Sequence, residues 1–186
     1  DPISGANDGL MKRCLASNTC PKIMQIDGAF EVWGGRASLM VVDSTGKEIP
    51  IPDNVRLYMV AGTQHGGGNG VGTESRSATC QNLSSAVIKR PVYRALVPAM
   101  EAWLVSNTPP PASRYPNLKD GTLAPITSRE KIGFPDLSKI GVNFPTIYNQ
   151  MFVTDYSDAI PVANLSKQYQ LLVPTTDADG NDVAGI

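Results

Sequence analysis

The chain contains a single histidine, His65, placed where a side chain can do chemistry. It follows the apolar run Val55-Arg56-Leu57-Tyr58-Met59-Val60-Ala61 and precedes Gly66-Gly67-Gly68. A strand that ends in a polar residue, with a pliant loop behind it, is how open α/β sheets present reactive groups. A lone imidazole can be the general base of a nucleophilic triad. It needs a carboxylate to fix its tautomer and a serine or cysteine to give up a proton. Two acids compete for the first role: Glu31, in Phe30-Glu31-Val32-Trp33, and Asp27, which directly ends the run from Lys22 to Ile26. If the strands before Glu31 and His65 neighbour each other in a parallel sheet, carboxylate and imidazole reach the same rim. The non-catalytic alternatives are a solvated carboxylate on a helical turn and a loop histidine bonded to backbone.

A nucleophile is harder to find. No Gly-x-Ser-x-Gly occurs in the sequence, and Ser4 and Ser75 lie in loop-like stretches without a strand-to-helix elbow. Cys80 lacks the electropositive setting that activates a thiol. Zinc is not expected, because one histidine and three scattered cysteines make no Cys-x-x-Cys pair. Asp177-Ala178-Asp179-Gly180-Asn181-Asp182 has the look of a calcium loop, but its glycine comes early, no glutamate closes it and no helices flank it. It reads as a turn. No metal and no cofactor are expected.

The elements that would position these groups follow from pattern. Leu10 to Ala16 fits a short helix, and Lys22 to Ile26 a short strand closed by Asp27-Gly28. Ala29 to Gly35 fits one helical turn bearing Glu31. Ser38 to Val42 is a second apolar run, followed by a hairpin-like turn at Asp43-Ser44-Thr45-Gly46-Lys47. Residues 66–90 are rich in glycine and serine and read as loop. Val92, Leu96, Ala99, Met100 and Trp103 recur at helical spacing, so Val92 to Val105 is a predicted helix with Pro91 at its start. Pro98 inside it predicts a kink or a later start, and Thr108-Pro109-Pro110-Pro111 ends it. Beyond Ala112 the periodicity fades, with short strands expected near Thr146 to Val153 and Tyr169 to Val173. Alternating helix and strand favours an α/β architecture, with residues 1–111 as core and 112–186 as an irregular extension packed on it.

The totals narrow the function. The 186 residues, 41% hydrophobic and 18% charged, suit a globular domain with a real core. A net charge of -1 without a basic run argues against nucleic acid as partner. No apolar run approaches the roughly 20 residues of a membrane helix. Asp1-Pro2-Ile3-Ser4-Gly5 lacks a signal-peptide plan, as a processed chain would. Asn82-Leu83-Ser84 and Asn164-Leu165-Ser166 match glycosylation acceptors without a context that gives them weight. Cys14 and Cys20 flank a short segment. A disulfide there, stapling a helix end to the next strand, and three unpaired thiols are both open on spacing alone.

The sequence resembles the C-terminal portion of the bacterial alpha/beta-hydrolase domain family, a group read as serine hydrolases. The residues that carry the resemblance include Cys14 to Cys20-Pro21-Lys22, Phe30-Glu31-Val32-Trp33, Pro52-Asp53-Asn54-Val55-Arg56-Leu57-Tyr58 and Ala61-Gly62-Thr63-Gln64-His65-Gly66. Pro109-Pro110-Pro111-Ala112-Ser113-Arg114-Tyr115-Pro116 and Asp120-Gly121-Thr122-Leu123 continue it, and residues 126–165 match least. No single motif decides the match; their order and spacing do. In such hydrolases the chain order is nucleophile, acid, histidine. The resemblance therefore implies Glu31 as acid and His65 as base, with the serine and oxyanion donors upstream of Asp1. The chain would hold the last two sheet strands, the closing helix and a loop-rich C-terminal extension. On its own it would be inactive. The resemblance also favours the Cys14–Cys20 disulfide and hence a periplasmic or secreted setting.

The implied substrate of the intact protein is a small ester or other acyl compound. The rival reading is a non-catalytic binding or structural module on a degenerate hydrolase fold. A sheet edge left uncovered would favour self-association.

Overall fold

The computed structural model describes residues 9–71, 80, 82–144 and 149–186. The first element is a short helix, α1 (Lys12–Ser17), which stops at Asn18 in the left-handed conformation, φ 54°. Asn18 donates its N–H back to the Cys14 and Leu15 carbonyls, as left-handed asparagines do at helix ends. A Cys14–Cys20 disulfide ties this helix to the entry of the first strand. Cys80 is free and exposed.

The strand β1 (Ile23–Gly28) runs parallel to β2 (Val55–Val60), in register from Ile23 opposite Val55 to Gly28 opposite Val60. Parallel strands need a crossover. Here it begins with α2 (Ala29–Trp33), which starts without a linker from Gly28. It continues through a 3-10 turn at Ala37–Met40, so the apolar run from Ser38 is helical at its start and only Val42 bridges a strand-like partner, Glu48. β2 carries the core: Leu57, Tyr58 and Met59 are fully buried, and Leu57 and Met59 pack with Val32, Val41, Leu123 and Leu172. Its far edge is covered by the C-terminal part of the chain. Met59 N–H donates to the Arg114 carbonyl at 2.9 Å, Arg114 N–H to Leu57 at 2.9 Å, and Ile186 N–H to Met59 at 2.8 Å.

The long helix α3 (Arg90–Ser106) has Pro91 in its first turn, and it passes through Pro98 without a break. It neither starts late nor stops at that proline. Pro98 lies on the exposed face, while Leu96 and Trp103 anchor the helix to the core. The lost backbone bond, worth roughly 3 kcal/mol in an isolated helix, is outweighed by that packing. The C-terminal end of α3 is tied to the sheet by Lys22, whose Nζ donates to the Trp103 carbonyl and to Asn107 Oδ1 at 2.9 Å. Lys22 and the Arg56 guanidinium both lie over the Trp103 ring, at 5.6 and 5.1 Å.

The rest is two small antiparallel pairs. β3 (Leu123–Pro125) pairs with β6 (Leu172–Pro174), and β4 (Phe152–Asp155) with β5 (Val162–Gln168). The expected strands near 146–153 and 169–173 are shifted toward the C-terminus, and residues 145–148 lie outside the described residues. β5 was not foreseen because six of its seven residues are exposed, so it shows no alternation. The stretch from Asp177 is a turn: Asp177 Oδ1 accepts the Asp179 and Asn181 N–H groups, each at 2.9 Å. Those bonds hold its carboxyl below the usual range. Among the described residues no helix is long and apolar enough to cross a membrane.

Candidate active site

The parallel register puts the ends of β1 and β2 side by side, and both sequence-predicted site residues leave from there. Glu31 is the third residue of α2, one helical position at which a carboxylate can reach back to the helix start. Its Oε2 accepts the Gly28 N–H at 2.6 Å. Its Oε1 is hydrogen-bonded to Nδ1 of His65. Glu31 therefore has one oxygen on the Gly28 backbone and one on the imidazole, which leaves it little freedom to turn. The Glu31 side chain is 20% exposed and that of His65 79%. Nε2, the other ring nitrogen, has no hydrogen-bond partner among the described residues, and the Phe30 ring meets the imidazole edge-on at 5.8 Å between centroids.

Thr63 fastens the two strand ends together. Its hydroxyl donates to the Val60 carbonyl at 2.6 Å and accepts the Ala29 N–H at 3.2 Å, and its carbonyl accepts the Phe30 N–H at 3.1 Å. The fit is close enough to require glycine at position 28. A Cβ there would stand 2.6 Å from Thr63 Oγ1 and 2.9 Å from Glu31 Oε2.

The competing acid goes elsewhere. Asp27 is 4% exposed and points its oxygens at the Tyr115 hydroxyl, 2.8 Å, and the Gln25 amide, 2.6 Å. It lies across from Met59 in the sheet, on the face where Tyr115 and Val32 pack, and its carboxylate turns into that core rather than toward His65. The Tyr115 phenol is pushed well above its ordinary range, first by burial and then by the Asp27 charge. Ser4 and Ser75 lie outside the described residues. Among the described residues no group of three or more histidine, cysteine or acidic side chains is gathered to hold a metal.

The family model described as alpha/beta hydrolase domain matches residues 1–186. The chain belongs to the alpha/beta hydrolase domain family. Neither the curated proteins nor the solved structures compared with it gave a match.

In this alpha/beta hydrolase domain, three further residues support the corner, and sequence reasoning passed over them. Lys89 is 7% exposed and donates from Nζ to the His65 carbonyl at 2.5 Å. Gly62, with φ 63°, makes the turn out of β2. It is held by Ser85, whose hydroxyl donates to its carbonyl at 2.8 Å, and by Asp182, whose Oδ2 accepts its N–H at 3.0 Å. Asp182 Oδ1 also accepts the Trp33 indole N–H at 2.8 Å, linking α2 to the same corner. Lys89 and Ser85 are 24 and 23 residues from their partners and Asp182 is 120 from Gly62. No local pattern could have announced them.

Proposed function

We propose that this chain supplies the acid and the base of a Ser-Glu-His triad for ester hydrolysis, on the C-terminal part of an α/β-hydrolase sheet. One observation carries the reading: Glu31 and His65, from the adjoining ends of two parallel strands, are hydrogen-bonded through Nδ1 while Nε2 has no hydrogen-bond partner among the described residues. The roles follow from that geometry. Nε2 takes the proton of a serine hydroxyl as its oxygen attacks the ester carbonyl. Glu31 holds Nδ1–H and stabilises the imidazolium that forms. The imidazolium then gives its proton to the departing alcohol, and a water activated the same way releases the acid.

The serine is proposed to come from outside the described residues. β1 has no second strand neighbour among them, and beside it a groove lined by Met24, Ile26, Val97 and Leu104 is suited to further packing. Left uncovered, that edge would pair two copies of the chain, which concentration-dependent sedimentation would register. The disulfide is compatible with an oxidising compartment, and a periplasmic setting is proposed on that ground. Thiol alkylation of intact cells would find Cys14 and Cys20 protected there and reactive in a reducing one.

The test of the triad is labelling by a fluorophosphonate probe, which reports an activated serine. The protein carrying this chain is expected to label, and His65→Ala to slow labelling by about 10²-fold or more. Glu31→Gln should slow it by a smaller factor. Absence of labelling in the wild-type protein would turn the reading toward a binding or structural module.

A further inference from the structure

The helical turn that carries Glu31 also carries two aromatic rings, Phe30 and Trp33, and both line a cleft of about 460 Å³. Gly62, Thr63 and Gln64, the residues leading to His65, line it too. Phe134, Val142 and Phe144 complete the apolar lining from the segment after β3, with the two phenyl centroids 5.6 Å apart. Phe30 belongs to the cleft and to the base at once, since its ring also meets His65. His65 does not itself line the cleft, so a group bound against Phe30 is one ring away from the imidazole. The volume is in the range of small-molecule sites.

The polar lining is largely used up by the protein itself. Asp182 has one oxygen on Trp33 and the other on Gly62. The Thr63 hydroxyl donates to Val60, the Gln64 amide to the Gly67 carbonyl at 2.9 Å, and the Asn181 amide to Asp177 at 3.2 Å. No lysine or arginine lines the cleft. An anionic ligand would find the Asp182 carboxylate and no cation to offset it. Four rings from two segments, α2 and the stretch after β3, favour a flat apolar group, which gains from offset or edge-on contacts beyond the area it buries. The hollow lined by the Gly66–Gly68 loop differs, since Lys89 and Arg90 also line it.

We infer that the cleft binds an uncharged aromatic group of the substrate and so brings an aromatic ester to His65. The inference rests on the reading of His65 as base for its functional meaning, but its binding test does not. The full chain contains two tryptophans, Trp33 in the cleft and Trp103 on α3, so one acts as reporter and the other as control. The isotope-labelled chain would be titrated with methyl benzoate, methyl hexanoate and benzoate while the two indole N–H signals are followed. Methyl benzoate is expected to shift Trp33 saturably and leave Trp103 in place. Methyl hexanoate and benzoate should bind at least fivefold more weakly. Phe134→Ala and Phe144→Ala should each weaken methyl benzoate at least threefold, and Val97→Ala, in the separate groove beside β1, should not. A still Trp33 signal, equal binding of methyl hexanoate, or binding that neither phenylalanine variant weakens would overturn the inference. Trp33 shifts without fluorophosphonate labelling would remove the triad and keep the cleft; labelling without Trp33 shifts would do the reverse.

Discussion

Replacing Gly28 by alanine sets two effects of opposite sign against each other. Alanine has fewer unfolded conformations to lose, and at a compatible backbone position this stabilises by about 0.4–1 kcal/mol. Position 28 is compatible, with φ -91°. The methyl group, however, would sit 2.6 Å from Thr63 Oγ1 and 2.9 Å from Glu31 Oε2. Thr63 cannot step aside cheaply, because it is β-branched and its hydroxyl bonds both Val60 and Ala29. Glu31 can move, but only by giving up the Gly28 N–H and His65. Overpacking of this kind costs roughly 1–3 kcal/mol. Steric cost should win, with a net loss of about 1–2 kcal/mol, which for a chain this long lowers Tm by roughly 3–6 °C. Gly66→Ala is the control, since no atom lies within 4 Å of a Cβ there. It should be neutral or slightly stabilising. Urea unfolding of both variants gives the stabilities, and solvent exchange of the His65 Nδ1 proton reports the contact with Glu31. If Gly28→Ala were as stable as the parent and kept the Nδ1 proton equally protected, the close fit described for this corner would be wrong.

Two other perturbations test the frame around it. The Tyr115 phenol keeps its proton in the folded state above the pH near 10 at which an unfolded tyrosine loses it. Its contribution is therefore complete below about pH 10 and fades as pH rises beyond, by up to about 1.4 kcal/mol per pH unit. Tyr115→Phe should lack that limb of the urea midpoint curve, while losing about 1–3 kcal/mol at neutral pH because the buried Asp27 loses a donor; an identical alkaline fall in both proteins would count against the assignment. Replacing Cys14 and Cys20 together by serine opens a loop of sequence separation 6, worth about 2 kcal/mol by chain entropy. Reduction of the parent should lower Tm to match that double variant, and a parent insensitive to reductant would contradict the bond.

The strands β1 and β2 were legible because their apolar runs end in punctuation, Asp27-Gly28 and Gly62. Helix α3 was legible from its spacing, apart from Pro98, where burial of Leu96 and Trp103 overrides a local rule. The pairs β3–β6 and β4–β5 were mostly illegible: β3 and β6 are short and far apart along the chain, and β5 is exposed along nearly its whole length, so none shows a period. Within the site, Asp27 competed with Glu31 on pattern alone because each follows the same strand, and only the family resemblance pointed to Glu31. What separates them is the direction in which a strand and a helical turn project their side chains, together with the demand of Tyr115 for Asp27.

That separation also explains why a carboxylate one turn beyond the strand suits the proposed role better than one at the strand's end. Asp27 is buried and fully engaged, and turning toward His65 would strip Tyr115 and Gln25 of their partner. Glu31 meets no such conflict. The Gly28 N–H that it accepts is an unsatisfied donor of the helix start in any case, so the bond that builds α2 is the bond that aims the carboxylate. The helix is only five residues long and too short to be stable alone. Its existence depends on Thr63, Asp182 and Glu31, the groups that also fix the corner bearing His65. Fold and site are thus one set of contacts here, so substitutions that loosen α2 should disturb the imidazole before they unfold the chain.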